Sequence, residues 1–551
     1  MKKQIGIAFL MSMIFTGQVL AESPLPTFDK DAVTVHPYNR TGQQEVIVDS
    51  ENKGSEVYRP GNTGTEQSPA FFIKKINLTG EPVPDKTGRL QAILNKYTNR
   101  SVKVSELQVL VQEITNYCKS YGYTVPQATI PPQEIKNGEL EVKIYLARYD
   151  KVNIVQNNSD IADRVLANYI NYLRPGEIMT DKKLESALNN LNDLPGVMAR
   201  AVLSPGTQPG TTGVAIEVEK RPVWNNYIFT DNGGSYYSGR YRYGFNTEIN
   251  NPGKNGDKII VNGMLSSHDV KNYGIRYEAP IGSRGTRAGI AYSQTSYEIH
   301  SNSFYNSLGK SKGFSVYGLT PIYRDKSNRV TAIYGYDHRD ITDEYRWNVW
   351  QGLLPNIKND KTADVVHLGI SGSQYNVNQF TQYSLIYWYG DIDTDIDGGA
   401  YYDGGYHKLT GDILNIWYDN KFNYRIRASG QLANRALDGS EQFYLGGING
   451  VRAYGASDGY GDYGYVATGE IRCKTDEPGL EAAAFIDVGA AGNKASGELD
   501  HLAGWGLGLR YAKDNEWYAQ LDWSRKINGR PDRIEKDDHS GRWWFQLYKM
   551  F

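Results

Sequence analysis

The sequence predicts a transmembrane antiparallel β-barrel of about 16 strands, preceded by two small β-α-α-β-β modules. Three observations lead there. After Pro222 the hydrophobic period switches from 3.6 to 2, so helices give way to strands. Aromatic content changes at the same point: all ten tryptophans lie at or after Trp224, and only ten of the 42 tyrosines precede it. The N-terminus has Lys2 and Lys3 ahead of an apolar run from Ile5 to Phe15, with small residues at Val19 and Ala21. It reads as a secretory signal peptide cut after Ala21, and no later stretch approaches the ~18 apolar residues of a membrane helix.

Residues 1–21 are thus the signal peptide. Residues 22–69, rich in Pro, Gly, Asn, Ser and Thr, read as a linker or weakly ordered arm, with a short helix offered around Gln43 to Ser50 and a plug helix left open. Residues 70–148 form the first module. FFIKKINLTG alternates like a strand, Leu90 to Tyr97 makes a short helix, and SELQVLVQEITNYCKSYGY puts Leu107, Leu110, Val111, Ile114, Tyr117, Cys118 and Tyr121 on one helical face. Ser105 with Gln108 fits a capping box, and Gly122 fits the C-terminal stop. Strands follow around Val125–Ile130 and Leu140–Ala147. Residues 149–221 repeat that order, and tandem copies of one unit suggest an arm for holding a peptide.

Within 222–551 the strands carry opposite chemistry on their faces. KNYGIRYEA sets Tyr273, Ile275, Tyr277 and Ala279 against Asn272, Arg276 and Glu278. FNYRIRASGQL sets Phe422, Tyr424, Ile426, Ala428 and Leu432 against Asn423, Arg425, Arg427, Ser429 and Gln431. EWYAQLDW sets Trp517, Ala519, Leu521 and Trp523 against Tyr518, Gln520 and Asp522. Periodicity does not say which face points inward; export and the aromatic load favour apolar outward. Connections alternate between tight (280–285, 376–379, 419–421, 512–515) and long (342–361, 390–405, 433–464, 524–542), as in an outer-membrane barrel. The chain ends WWFQLYKMF, with Trp543, Phe545, Leu547 and Phe551 on one face and Lys549 breaking the pattern. A barrel of this size has room for an aqueous channel.

Composition excludes several functions. The 60 basic and 62 acidic residues give no field favouring nucleic acid. Cys118 and Cys473 read as isolated thiols. Gly459, Gly461 and Gly464 spell GxGxxG, but no helix follows to receive a phosphate. DIDTDIDGG (391–399) looks like a calcium loop but has Gly404 where the twelfth-position Glu belongs, so it reads as a solvated acidic loop. The eight histidines show no zinc spacing and GxSxG is absent. No enzyme and no cofactor is expected.

Several segments in order carry a resemblance: TIPPQEIKNGEL in the first module, LNNLNDLPGVMARAVLSPG in the second, DNGGSYYSGRYR and NNPGKNGD at the barrel start, then SEQFYLGGINGVRAY and FIDVG. The chain resembles the TpsB family of two-partner secretion transporters over nearly all of its mature length. The resemblance implies two POTRA domains in the periplasm (70–148 and 149–221). It also implies a barrel (222–551) in the outer membrane of a Gram-negative bacterium, with loop 433–464 folded inward. The function implied is capture of an unfolded exoprotein and its passage to the surface without nucleotide hydrolysis. The partners would be a large β-helical haemagglutinin, haemolysin or contact-dependent toxin, and outer-membrane lipid. The alternative is a barrel-assembly factor; a non-secreting porin or surface enzyme ranks third. One departure stands out: where the family usually reads Val-Arg-Gly-Tyr, this chain has Ala453, strained if that position needs positive φ.

The lone Arg452 in a Gly- and Tyr-rich loop needs a partner. On the next two strands the lumen registers hold Glu470, with Thr468 and Arg472, and Asp487, with Phe485 and Gly489. Arg452 is therefore expected to fork onto Asp487 with Glu470 as second acceptor, the pairing the resemblance also implies. Val451, Tyr454, Gly446 and Gly447 complete this loop-lumen lock, and Arg276, Glu278, Arg425, Arg427 and Arg472 are expected to line the lumen.

Overall fold

The computed structural model describes residues 46–48 and 70–551, apart from short stretches at 236–237, 269, 300–304, 326, 348–356, 396–399, 457, 514–515 and 528–540. The signal peptide, the plug helix and the rest of the arm lie outside the described residues. The chain divides into two compact units, one spanning Gly42–Arg221 and one containing Pro222–Phe551.

In the first unit the arm, expected from sequence as a linker with a short helix offered around Gln43 to Ser50, contributes β1 (Val46–Val48). Three consecutive β-branched residues favour the extended chain. The first module runs β2 (Ala70–Ile73), β3 (Lys75–Gly80), α1 (Arg89–Asn95), β4 (Arg100–Lys103), α2 (Val104–Ser120), β5 (Pro126–Thr129) and β6 (Glu139–Leu146). The short β4, paired with β2, is an addition to the expected order. Helix α2 begins two residues earlier than its Ser105 cap signal: the Lys103 amide donates to Glu106 Oε2 at 2.8 Å, so Lys103 and Glu106 form the capping pair. Gly122, at φ 89°, ends the helix. Leu110 and Ile114 pack with Val102, Val142 and Ile144 in one core; Tyr121, on the edge of that face, stays exposed. Cys118 is buried there as a free thiol whose pKa burial pushes up to about 11.

The second module runs β7 (Arg148–Asn157), α3 (Asp163–Ile170), α4 (Asp181–Asn192), β8 (Val197–Pro205) and β9 (Thr211–Lys220), around a core containing Leu166, Leu188, Ala201 and Ile216. Its sheet order is β1-β8-β9-β7, with β1 parallel to β8 (Val46↔Ala201 to Val48↔Leu203). The first module's sheet has the order β3-β6-β5. Arg148 ties the modules together, reaching Glu81 at 2.6 Å and the Gly176 carbonyl at 2.8 Å, and the Asp181 amide donates to the Gly122 carbonyl.

The second unit is a closed barrel of sixteen antiparallel strands. Its first half is β10 (Trp224–Asp231), β11 (Arg242–Asn250), β12 (Lys258–Ser266), β13 (Lys271–Ile281), β14 (Thr286–Ile299), β15 (Tyr305–Arg324), β16 (Asn328–Trp347) and β17 (Ile357–Asn376). Then come β18 (Gln379–Thr394), β19 (Gly404–Tyr418) and β20 (Phe422–Ala433). Inside the following loop β21 (Phe443–Tyr444) and β22 (Tyr460–Gly461) form a separate two-stranded sheet that packs on the wall, where a Cβ on Gly461 would lie 2.4 Å from the Gly492 carbonyl oxygen. The wall resumes with β23 (Tyr463–Lys474), β24 (Leu480–Gly492), β25 (Leu499–Lys513), β26 (Trp517–Lys526) and β27 (Arg542–Met550). Closure is by β27 on β10, from Tyr227↔Met550 to Asp231↔Gln546.

Several long connections are shorter than the sequence suggests. Thr342–Trp347 and Ile357–Lys361 belong to β16 and β17, and Asp391–Thr394 to β18. Polar residues on both faces erase the period-2 signal there, yet the backbone ladder continues, with Thr342 opposite Asp360 and donating to its side chain at 2.6 Å. The first half of the acidic loop is therefore strand, with Asp391 and Asp393 both on its exposed face and Ile392 buried between them; 396–399 lie outside the described residues. Among the described residues no His, Cys, Asp and Glu group fits a metal ion.

The apolar faces point outward: Tyr273, Ile275, Ile426, Leu521 and Trp543 are exposed, whereas Asn272, Glu278, Asn423 and Asp522 are buried. Lys549 is tolerated on the outer face because Nζ reaches Glu516 at 2.6 Å and lies 4.7 Å from the Trp517 ring centre, at the strand end. This geometry sets one prediction. Ile426→Lys puts a charge on the lipid face and should cost about 2–4 kcal/mol, seen as a loss of inserted, heat-resistant barrel. Ser429→Lys projects into the lumen beside Asp412, which now accepts from Ser429 Oγ at 2.6 Å, and should assemble normally.

Candidate functional site

Loop 433–464 folds into the barrel. Asp438, Leu445, Val451, Arg452, Ala453 and Tyr454 are all buried, although the segment connects two wall strands, β20 and β23. Tight backbone turns make this compaction feasible. Gly447 has φ 96°, and a Cβ on Gly450 would sit 2.0 Å from the Leu445 carbonyl oxygen. The base of the loop is closed by Asp462, which accepts from the Leu437 amide at 2.9 Å, Gln442 Nε2 at 3.0 Å and the Lys494 amide at 2.6 Å.

These constraints present Arg452 to the wall. Its Nε lies 2.9 Å from Asp487 Oδ2 and Nη2 lies 2.9 Å from Asp487 Oδ1, a forked pair, while its amide donates to Oδ2 at 3.2 Å. Thr468, directly opposite Asp487 in the ladder, donates to Oδ1 at 2.8 Å. The third nitrogen, Nη1, reaches Glu470 at 3.2 Å and Asp522 at 3.0 Å. Phe485 stacks beneath the guanidinium, 3.2 Å from its Cζ to the ring centre. The main chain is held too: Ser524 Oγ and Trp544 Nε1 each donate to the Arg452 carbonyl at 2.6 Å.

Neighbouring charges balance the site. Arg510 contacts Asp522 at 2.5 Å and Glu470 at 3.2 Å, and Arg472 contacts Glu470 at 2.5 Å. Three guanidiniums thus face the three carboxylates Glu470, Asp487 and Asp522, which offsets a desolvation that isolated charges would not survive. Asp522, Arg510, Ser524 and Trp544 are additions to the residues singled out from sequence. Asp522 already stood on a polar strand face, but nothing local tied β26 to a loop seventy residues away.

The remaining expected positions divide clearly. Val451 and Tyr454 pack with Leu445, Val466, Ala491 and Leu502, and the Tyr454 ring lies 5.0 Å from Lys526 Nζ. Gly446 bridges to Val451, and a Cβ on Gly489 would lie 3.2 Å from Leu445 Cδ2. Glu278 sits in a separate cluster, with Arg287 at 3.3 Å, Arg276 at 3.7 Å and Tyr317 donating at 2.7 Å. Glu278, Arg425 and Arg472 are buried in the wall's polar packing rather than facing open water.

Ala453 is absent from the positive-φ residues of the described chain, so its side chain brings no backbone strain. Space is made on the wall directly against it by Gly504 on β25, where a Cβ would fall 2.4 Å from Ala453 Cβ. Gly504→Ala should therefore push the loop off the wall at a cost of about 1–3 kcal/mol, seen as faster proteolysis at the loop, and adding Ala453→Gly should restore protection.

A family model described as haemolysin secretion/activation protein ShlB/FhaC/HecB matches residues 210–511. The chain belongs to this family. A second model, the ShlB-type POTRA domain, matches residues 71–145. Among curated relatives, the heme/hemopexin transporter protein HuxB of Haemophilus influenzae (strain 86-028NP) is 24% identical over the full length of both chains. The outer membrane transporter CdiB of Dickeya dadantii (strain 3937) is 23% identical over 82% of each. The solved structure of CdiB from Escherichia coli shares the fold at TM-score 0.69, with 16% identity, covering 93% of this chain and 94% of that one. This chain is thus an outer-membrane translocon of the two-partner secretion type, with its POTRA domains on the periplasmic side. Its cargo belongs to the exoprotein class that such transporters move.

Proposed function

We propose that the exoprotein is a large β-helical haemagglutinin, haemolysin or contact-dependent toxin, and that it is captured by adding a strand to a POTRA sheet edge. What supports capture is the sheet topology: β5 in the first module and β7 in the second are edge strands, whereas the β8 edge carries β1. Strand addition uses main-chain hydrogen bonds and so tolerates the varied side chains of an unfolded cargo. The Arg452 site then acts as the lock that holds loop 433–464 in the lumen and fixes its relation to the wall. No nucleotide is needed, because folding of the cargo outside makes each forward step irreversible.

The designation of HuxB as a heme/hemopexin transporter makes a haem- or hemopexin-binding exoprotein the first cargo to try. The test is co-expression of the chain with a candidate exoprotein of this class that carries its own export signal. Cargo should reach the cell surface or medium only when this chain is present. Delivery of an unrelated cargo instead, with every candidate of this class left in the periplasm, would overturn the assignment.

A further inference from the structure

Arg452 is not the only ionic hold on the loop. Twelve residues upstream, a single 3-10 turn, Gly439–Glu441, carries two buried acids against another part of the wall. Asp438 Oδ2 lies 3.0 Å from Nζ of Lys361 on β17, and Lys361 also reaches Asp343 on β16 at 2.8 Å. Glu441 accepts from Lys408 of β19 at 2.5 Å and from Arg339 of β16. Strands β16 and β26 are eight apart in a ring of sixteen, so the loop is fixed to opposite walls of the pore.

The two holds differ in what they leave behind. Withdrawing Arg452 strips Asp487 of its forked partner, and that carboxylate is fixed to a wall strand with 0% exposure. Withdrawing the turn removes Asp438 and Glu441 themselves, which become hydrated with the moving loop. Lys361 keeps Asp343, while Arg339 and Lys408 stay on the wall without their shared acid. Release at the Asp438 side breaks three ion pairs, whereas Arg452 is held by three carboxylates and, through its carbonyl, by Ser524 and Trp544, so the Asp438 side is the weaker hold.

We propose that Asp438 and Glu441 form a second, releasable anchor, which holds the loop across the resting pore and lets go during transport while Arg452 keeps its place. This rests on the translocation reading, but its test does not need cargo. The full chain, purified and inserted in planar bilayers, is compared with Asp438→Asn/Glu441→Gln, a near-isosteric change confined to the loop. The variant should spend at least roughly tenfold more time in large open states. It should retain heat-resistant mobility and, in cells, secretion. Pairing Lys361→Asp with Asp438→Lys, which leaves a lysine beside Asp343, should quieten the channel again, whereas each single reversal should open it. Wild-type conductance from a folded double variant would overturn the proposal. So would a failure to assemble, since a releasable anchor is not needed to build the barrel. If conductance rises as expected while neither protein secretes the candidate exoprotein, the cargo assignment fails and the anchor stands.

Discussion

Arg452→Ala is expected to abolish secretion while the protein still inserts as a heat-resistant barrel. The guanidinium is shared by Asp487, Glu470 and Asp522, so its loss leaves buried carboxylates short of a partner, a change that costs about 3–5 kcal/mol where water is excluded. The loop, not the wall, should give way, because the ladders on either side of β24 are complete without it. Asp487→Ala should produce the same defect, and the double variant should be less than additive because both changes remove one interaction. Arg452→Lys should rescue poorly: a single ammonium does not span the Asp487 fork and reach Asp522 as well. The readouts are exoprotein in the medium and barrel mobility with and without heating.

The second large effect comes from the periplasmic unit. Deleting residues 70–221 should leave a barrel that assembles and conducts but secretes nothing. Each POTRA module has its own apolar core, and the barrel closes on itself through β10 and β27, so the deletion breaks no ladder in the membrane. Inserted barrel and secreted cargo are measured in the same cells. Undiminished secretion would remove the capture role.

How far the sequence could be read follows from how local each signal is. Wall strands were legible because lipid on one side and polar lumen on the other impose a strict alternation, visible in KNYGIRYEA and FNYRIRASGQL. Beyond the membrane that alternation stops, so the upper ends of β16 and β17 read as loop although their ladder continues. The α2 cap differs from its sequence signal for another reason: Glu106 serves the Lys103 amide, while the stronger signal at Ser105 goes unused. At the site, Asp487 and Glu470 could be placed because they lie on the two strands that follow the loop. Asp522, Trp544 and the Lys361–Asp438 pair could not, since their proximity depends on closure of the whole ring.

The central claim, that unfolded polypeptide passes through this lumen, is tested most directly by photo-cross-linking a stalled cargo. An exoprotein fused to a tightly folded C-terminal domain would halt in transit, with the photoreactive residue placed at Ser429 on the lumen face, at Ile426 on the lipid face, or at Ile228 on the outer face of the closing strand β10. The expected result is a cargo adduct from position 429 and none from 426 or 228. Adducts from 228 with position 429 silent would mean that substrates leave sideways through the β10 and β27 junction, as a barrel-assembly factor requires, and would contradict the pore.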